Sequence, residues 1–227
     1  MLQRIRGALG RGALDGAEAG RLRAQLADPP ANRTPAGSRG SPETLLRRFV
    51  AKLRGVSASV DGVAALAELP VALERYLAAD GLPRRIRVAP HPELLGLPWS
   101  TAGLEAGYGP AGDADAVGVS RAYAGVAESG TLLLCSGPES PTTLNFLPDT
   151  HVVVLATSEL EGSYEAVWRR LRAAGEPRAF LPRTVNWITG PSRTADIEQT
   201  LQMGIHGPRR LHVVLVGEGL QEACAEA

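Results

Sequence analysis

The sequence predicts a layered α/β protein with a mostly parallel sheet, preceded by an N-terminal helical arm. Short runs of branched aliphatic residues are typical of strands buried on both faces. Helical patterns lie between several of these runs, and this alternation favours a layered fold. The predicted strands of the sheet cover residues 117–119, 131–135, 151–156, 185–189 and 211–216.

Composition narrows the classes of function. The chain has 227 residues, 44% of them hydrophobic, which is enough for one sizeable core. The 24 basic and 24 acidic residues give a formal net charge of +0, so no overall field favours nucleic acid or an anionic membrane. Two cysteines form neither a disulfide framework nor a CxxC motif. We therefore expect a soluble, cytoplasmic protein without a membrane span.

A stretch rich in Pro, Gly and Ser, residues 28–42, is interpreted as a flexible linker. It follows a helical arm that carries Leu14, Leu22 and Leu26. The predicted division is therefore an arm and linker over residues 1–40 and an α/β domain over residues 41–227. Ser41 is a natural N-cap and Pro42 suits the first helical position, so a core-facing helix is predicted to begin there.

The remaining elements alternate along the chain. The pattern predicts a helix over residues 63–79, a strand over residues 85–89 and a loop-rich stretch over residues 96–115, followed by the strands named above. Two further helices are predicted, over residues 163–174 and 194–203.

The strongest candidate site is the strand, turn and predicted helix start that includes Thr189, Gly190, Pro191, Ser192, Arg193, Thr194 and Asp196. Gly190 permits a sharp turn, and Ser192 as an N-cap leaves first-turn amides where anions bind. In open sheets such turns lie at the carboxyl ends of strands, where ligands bind. In the alternative interpretation, Ser192 only caps the helix and the nearby acids offset its dipole.

A second candidate comprises Glu128, Ser129, Gly130 and Thr131, directly before an apolar strand. Glu128 is a candidate general base or nucleophile, and the small residues beside it are candidate ligand contacts. The alternative is a solvated acid in a turn.

Other candidates are His206 and Gly207 in the GIHGP connection, and Gly137 after the strand 131–135. His206 is the best-placed titrating group, although a hydrogen-bonded turn histidine is the alternative. Cys135 lacks an evident partner histidine and is interpreted as a core residue. The histidines share no metal-ligand spacing, so no metal site is expected.

Three segments together resemble the LUD domain of the lactate-utilization protein C family. They are GVSRAYAGVAESGTLLL, LPDTHVVVLATSEL and ITGPSRTADIEQTLQMGIHGPRRLHVVLV, and they span residues 113–216. The resemblance implies a fold similar to NagB, ribose-5-phosphate isomerase and CoA transferases, a Rossmann-like layered α/β sandwich. It also implies a role in oxidising L-lactate to pyruvate with two iron–sulfur partner proteins, LutA-like and LutB-like. Because a cluster needs about four thiolates, we expect no cofactor on this chain and clusters in the partners.

Three functions remain open at this point. The first is a non-cluster subunit of a lactate-oxidising complex. The second is an independent enzyme similar to the CoA transferases or sugar-phosphate isomerases, with Glu128 as base or nucleophile. The third is a regulatory module that binds a small organic acid, a nucleotide or another anionic ligand. Fold analogy does not separate them.

Overall fold

The computed structural model describes residues 1–10, 12–30, 32–175, 181–194, 202–218 and 220. The chain divides into two compact units, Met1–Arg33 and Thr34–Ala227. The first unit holds two helices, α1 (Leu2–Ala8) and α2 (Gly16–Ala27), as the predicted helical arm requires. The side chain of Asp15 caps α2 by accepting a hydrogen bond from the Glu18 amide.

The second unit contains the remaining helices and all the strands of the described residues. Its helices are α3 (Pro42–Gly55), α4 (Leu69–Ala79), α5 (Pro92–Leu95) and α6 (Tyr164–Ala174). Its strands are β1 (Ser59–Val63), β2 (Arg85–Val88), β3 (Glu105–Tyr108), β4 (Val117–Arg121), β5 (Ala124–Val126), β6 (Thr131–Cys135), β7 (Thr150–Ala156), β8 (Leu160–Glu161), β9 (Val185–Ile188), β10 (Arg193–Thr194), β11 (Gln202–Met203) and β12 (Arg210–Val216).

A six-stranded, wholly parallel sheet forms the centre of this unit, in the order β1-β12-β7-β4-β2-β3. One face packs on α4, where Leu69, Leu73 and Leu77 meet strand residues such as Val152 and Val154. The opposite face packs on α3. Apolar side chains of β7 and β12 pack on both faces of the sheet, which explains why these two runs are almost continuously hydrophobic.

A second sheet, in the order β8-β5-β6-β9, adds a further layer. Leu132 and Leu134 of β6 pack with α3 and the first sheet, whereas Leu133 packs with Val167 of α6 on the outer face. The layers are therefore α4, the parallel sheet, α3 with the second sheet, and α6. The prediction of a Rossmann-like layered α/β fold with a mostly parallel sheet is confirmed.

Two predicted strands belong to this second sheet rather than to the parallel one. β6 pairs antiparallel with both β5 and β9, so the runs 131–135 and 185–189 do not extend the central sheet. Their sequence pattern was misleading because β6 is covered on both faces, which produces the same continuous apolar run as a parallel strand.

Several element boundaries differ from the sequence prediction. The helix predicted over residues 63–79 begins only at Leu69, because Val63 ends β1 and Pro70, which has no amide to donate, occupies the first helical turn. Strand β3 lies inside the stretch predicted as loop. Part of the predicted flexible linker is ordered, since residues Ala36–Ser38 form a short 3-10 helix in which Ser38 is buried.

The helix predicted over residues 194–203 is wrong at both ends. Thr194 lies in β10 and Gln202–Met203 form β11, and the two strands pair antiparallel. The Ser192 carbonyl accepts a hydrogen bond from the Gly204 amide, so the backbone of this turn is paired across to residues 202–204. Residues 195–201 lie outside the described part of the chain.

Candidate functional site

Four hydroxyl groups converge beside the start of β6. The Thr131 hydroxyl lies 2.7 Å from the Tyr164 hydroxyl and 2.6 Å from the Thr189 hydroxyl. The Ser129 hydroxyl lies 2.8 Å from Thr131 Oγ1 and donates to the Tyr164 hydroxyl at 3.0 Å. The fold thus joins Ser129 and Thr131 of one candidate segment to Thr189 of the other. Tyr164 was missed as a site residue because the pattern of residues 163–174 predicted only a helix.

Glu128 lies at the amino-terminal end of α6. Its Oε1 accepts a hydrogen bond from the Tyr164 amide at 3.5 Å, and its own amide donates to the Gly162 carbonyl at 3.2 Å. Its Oε2 is buried and has no hydrogen-bond partner among the described residues. The Glu128 carboxylate interacts favourably with the positive end of the α6 dipole. The geometry therefore favours neither a solvated turn acid nor an exposed nucleophile.

Gly130 and Gly190 approach the last turns of α3 closely. Gly130 has φ +71, and a Cβ there would lie 2.8 Å from Lys52 Cβ and 2.9 Å from the Leu53 amide nitrogen. Gly190 has φ +81, and its Cβ would lie 2.9 Å from the Val56 carbonyl oxygen. Both glycines therefore allow a turn to pack against a helix, which accounts for them without a ligand.

The GPSRT turn and the GIHGP connection contact each other. The Ser192 amide donates to the Pro208 carbonyl at 2.8 Å, and the Ser192 hydroxyl oxygen accepts from the His206 amide at 3.3 Å. Ser192 therefore bridges to this connection instead of capping a helix over the following described residues. The predicted helix cap at Ser192 is therefore wrong for a helix that includes Thr194, whereas the anion site there stays a prediction.

The Ser192–His206 pair also lies at the opposite end of the parallel sheet from the one expected. A Cβ on Gly207 would lie 3.9 Å from Phe146, which precedes β7, and the connection leads directly into the start of β12. His206 is exposed at this amino end, as is Arg193 of β10, whereas Pro191 and Thr194 are buried. Asp196 lies outside the described residues.

A cleft with a volume of about 520 Å³ opens at the carboxyl end of the parallel sheet. The chain leaves β2 toward β3 on one side and leaves β4 toward β7 on the other, so the direction of winding reverses between β2 and β4. Ligands of open α/β sheets bind outside the strand ends at such a reversal. The volume is within the range of small-molecule sites.

Arg121, the last residue of β4, lies at the centre of the polar groups in this cleft. Its Nη1 donates to both carboxylate oxygens of Glu159, at 3.0 and 2.8 Å, and to the Ala122 carbonyl at 3.1 Å. Its Nε donates to Glu93, which follows β2 on α5. Burial acts to lower the pKa of Arg121, but the bonds and charges of Glu159 and Glu93 outweigh it and raise this pKa, so the guanidinium stays charged.

The far wall of the cleft carries a second guanidinium. Arg170 donates to Glu159 Oε1 at 3.4 Å, and its guanidinium carbon lies 4.9 Å from the centroid of the Tyr123 ring. Gly137 is a predicted ligand residue that lines this cleft, and Cys135 lines it as well. Burial raises the pKa of the Cys135 thiol to about 11, which keeps it protonated and unsuited to nucleophilic attack.

Sequence reasoning missed the principal residues of the cleft, Arg121, Glu159 and Glu93. A signal was present, since Arg121 ends a run of buried strand residues and Glu159 closely follows the next parallel strand. Without the strand order, however, these strand ends have no assigned neighbours. No cluster of three or more potential metal ligands occurs within the described residues. Among those residues no helix is both long and apolar enough to cross a membrane.

The fold defines an open, doubly wound α/β protein with a cleft at its strand-order reversal, the usual place of a ligand site in such sheets. The LUD domain family matches residues 111–216. A lactate utilization protein C from Deinococcus radiodurans is 32% identical over 186 residues, which cover 76% of this chain and 80% of that protein. The chain belongs to this LUD-domain family of lactate utilization protein C.

Two further relatives agree with this assignment. A lactate utilization protein C from Geobacillus sp. (strain WCH70) is 35% identical over 100 residues, which cover 44% of this chain and 42% of that protein. A crystal structure of a DUF162 family protein from Deinococcus radiodurans matches with a TM-score of 0.57 and 25% identity, covering 79% of this chain and all of that one. The aligned residues of this chain thus cover less than half the length of the Geobacillus relative.

Proposed function

We propose that this protein is a subunit of an L-lactate utilization system that oxidises lactate to pyruvate together with iron–sulfur partner proteins, which we expect to be LutA-like and LutB-like. The single observation that carries the proposal is the similarity to lactate utilization protein C from Deinococcus radiodurans over 80% of that protein. A subunit of this kind contributes a ligand site and contact surfaces, while electron transfer takes place in the partners.

Two features of the site favour a ligand-binding role over one that carries an iron–sulfur cluster. Arg121 and Arg170 place two guanidinium groups in a cleft of suitable size for a small organic ligand. Of the two cysteines in the sequence, Cys135 is a partly buried thiol on β6. An iron–sulfur cluster needs about four thiolates, so we place the clusters on the partners and propose no cofactor on this chain.

The alternative of a glutamate-based CoA transferase fits the geometry less well. A nucleophilic carboxylate must expose an oxygen to its substrate, whereas Glu128 Oε2 is buried and Oε1 is bound to the start of α6. The lactate role is therefore the function we favour.

The test is lactate-dependent dye reduction in lysate of a host that lacks this gene. We expect activity to return when the wild-type gene is restored, and succinate-dependent dye reduction in the same lysate to stay unchanged as the control. Affinity capture of the tagged chain is expected to retain two iron–sulfur proteins, recognised by their visible absorption. Lactate-dependent dye reduction that is the same with and without the chain would refute the proposal.

A further inference from the structure

The cleft at the carboxyl end of the sheet contains a weakly held carboxylate, that of Glu93. Glu93 pairs with Arg121 Nε, but its side chain is 48% exposed, whereas the Arg121 side chain is 14% exposed. Glu93 is carried by α5, a helix of only four residues. Because the Glu93 carboxylate is half exposed to solvent, its pairing with Arg121 contributes little stability, and another carboxylate can replace it at a small cost in free energy.

Arg121 itself is held in place independently of Glu93. Glu159, whose side chain is 16% exposed, accepts two hydrogen bonds from Arg121 Nη1, and Arg170 contacts the same carboxylate. The Ala122 carbonyl accepts a further bond from Nη1. The Nε edge of the guanidinium therefore keeps its position when Glu93 leaves. This edge is preorganised to bind a planar anion.

We propose that the cleft binds a small organic acid, and that the ligand carboxylate pairs with Arg121 at the position that Glu93 now occupies. Because the ligand carboxylate takes the place of Glu93, the number of ion pairs made by Arg121 is unchanged. The Tyr123 ring and Pro138 line the same cleft and offer apolar contact to the body of the acid. Glu93 thus competes with the ligand and sets its affinity.

This inference extends the proposed function by naming the ligand class, but its test uses purified protein and no lactate oxidation. Calorimetric titration would use L-lactate, pyruvate and 3-phenyllactate as carboxylate probes, lactamide as the neutral counterpart of lactate, and inorganic phosphate as a different anion. We expect at least one of the acids to bind, lactamide not to bind, and phosphate to bind more weakly than the best acid.

Two variants move the affinity in opposite directions. Glu93→Gln removes the competing carboxylate and is expected to tighten acid binding by up to about fivefold. Arg121→Gln removes the receptor and is expected to weaken binding tenfold or more. Glu139→Gln is the matched control, because Glu139 lines the same cleft but is exposed, and no described hydrogen bond joins it to Arg121. It should change the affinity less than twofold.

If Arg121→Gln fails to fold, the affinities of Glu93→Gln and Glu139→Gln still test the inference. Unchanged or weaker binding in Glu93→Gln would overturn it, as would equal tightening in Glu139→Gln. Binding of none of the three acids, or tighter binding of phosphate than of every acid, would also overturn it. Acid binding without lactate-dependent activity in lysate would remove only the proposed function, and activity without acid binding would remove only this inference.

Discussion

A Cβ added at Gly130 is expected to destabilise the protein strongly, because it meets helix backbone. Gly130 has φ +71, and the added atom in Gly130→Ala would lie 2.8 Å from Lys52 Cβ and 2.9 Å from the Leu53 amide nitrogen. The left-handed conformation costs an L-residue about 1–2 kcal/mol. Forcing β6 and α3 apart adds about 1–3 kcal/mol, so we expect the free energy of unfolding to fall by roughly 2–5 kcal/mol.

Alanine variants of two other glycines separate the cost of backbone strain from the cost of the steric clash. Gly81 has φ +63 with nothing within 4 Å of an added Cβ, so Gly81→Ala reports backbone strain alone. Gly137 has no neighbour within 4 Å and no positive φ, so Gly137→Ala should change stability by less than about 0.5 kcal/mol. Urea unfolding followed by circular dichroism gives all three values, with equal slopes required for the comparison.

The result also bears on the predicted ligand role of Gly130. If Gly130→Ala destabilises no more than Gly81→Ala, the close packing of the β5–β6 turn on α3 is refuted. The glycine would then need another explanation, such as the close approach of a ligand. A large loss of stability in Gly130→Ala alone supports the packing role.

Three further predictions concern a helix cap, two buried histidines and the hydroxyl cluster. Ser41→Ala removes the side-chain cap of α3 and should lower the free energy of unfolding by about 1 kcal/mol in urea titration, whereas Ser41→Asp should retain it. Burial lowers the pKa of His151 to about 3 and that of His212 to about 4, from a usual value of 6.5. Because the unfolded chain then binds more protons, stability should fall as pH drops from 6.5 toward 4, by up to about 1.4 kcal/mol per pH unit for each histidine. His212→Gln should reduce that slope in urea titrations at stepped pH, and an unchanged slope would contradict the assignment. Tyr164→Phe should cost about 1–2 kcal/mol because Thr131 loses a buried partner, whereas an unchanged midpoint of thermal unfolding would show that the cluster is not stabilising.

Local sequence signals located several elements well. Ser41 caps α3 and Pro42 occupies its first turn, as their residue types predict. The helix predicted over residues 163–174 is α6, with Val167 and Leu171 buried. These elements were predictable because caps and helical spacing act between residues a few positions apart.

The partners of each strand were not predictable in the same way. Leu132, Leu133 and Leu134 are all buried, and a run of that kind suits either a central parallel strand or a strand between two covered faces. Pairing depends on which other runs lie beside it, and those lie far away in sequence. For the same reason residues 192–194 resembled a helix start, although their backbone pairs with residues 202–204.

The sequence alone determined the fold class, the helical arm and the family resemblance, because composition, periodicity and contiguous motifs are local properties of the chain. Only the tertiary structure decided where the candidate ligand site lies. Arg121, Glu93 and Glu159 are brought together by the order of β2, β4 and β7 in the sheet, which reverses the direction of winding between β2 and β4. That order is set by long-range packing of apolar faces, whereas Ser192 and His206, two separate candidates in the sequence, lie at the sheet's other end.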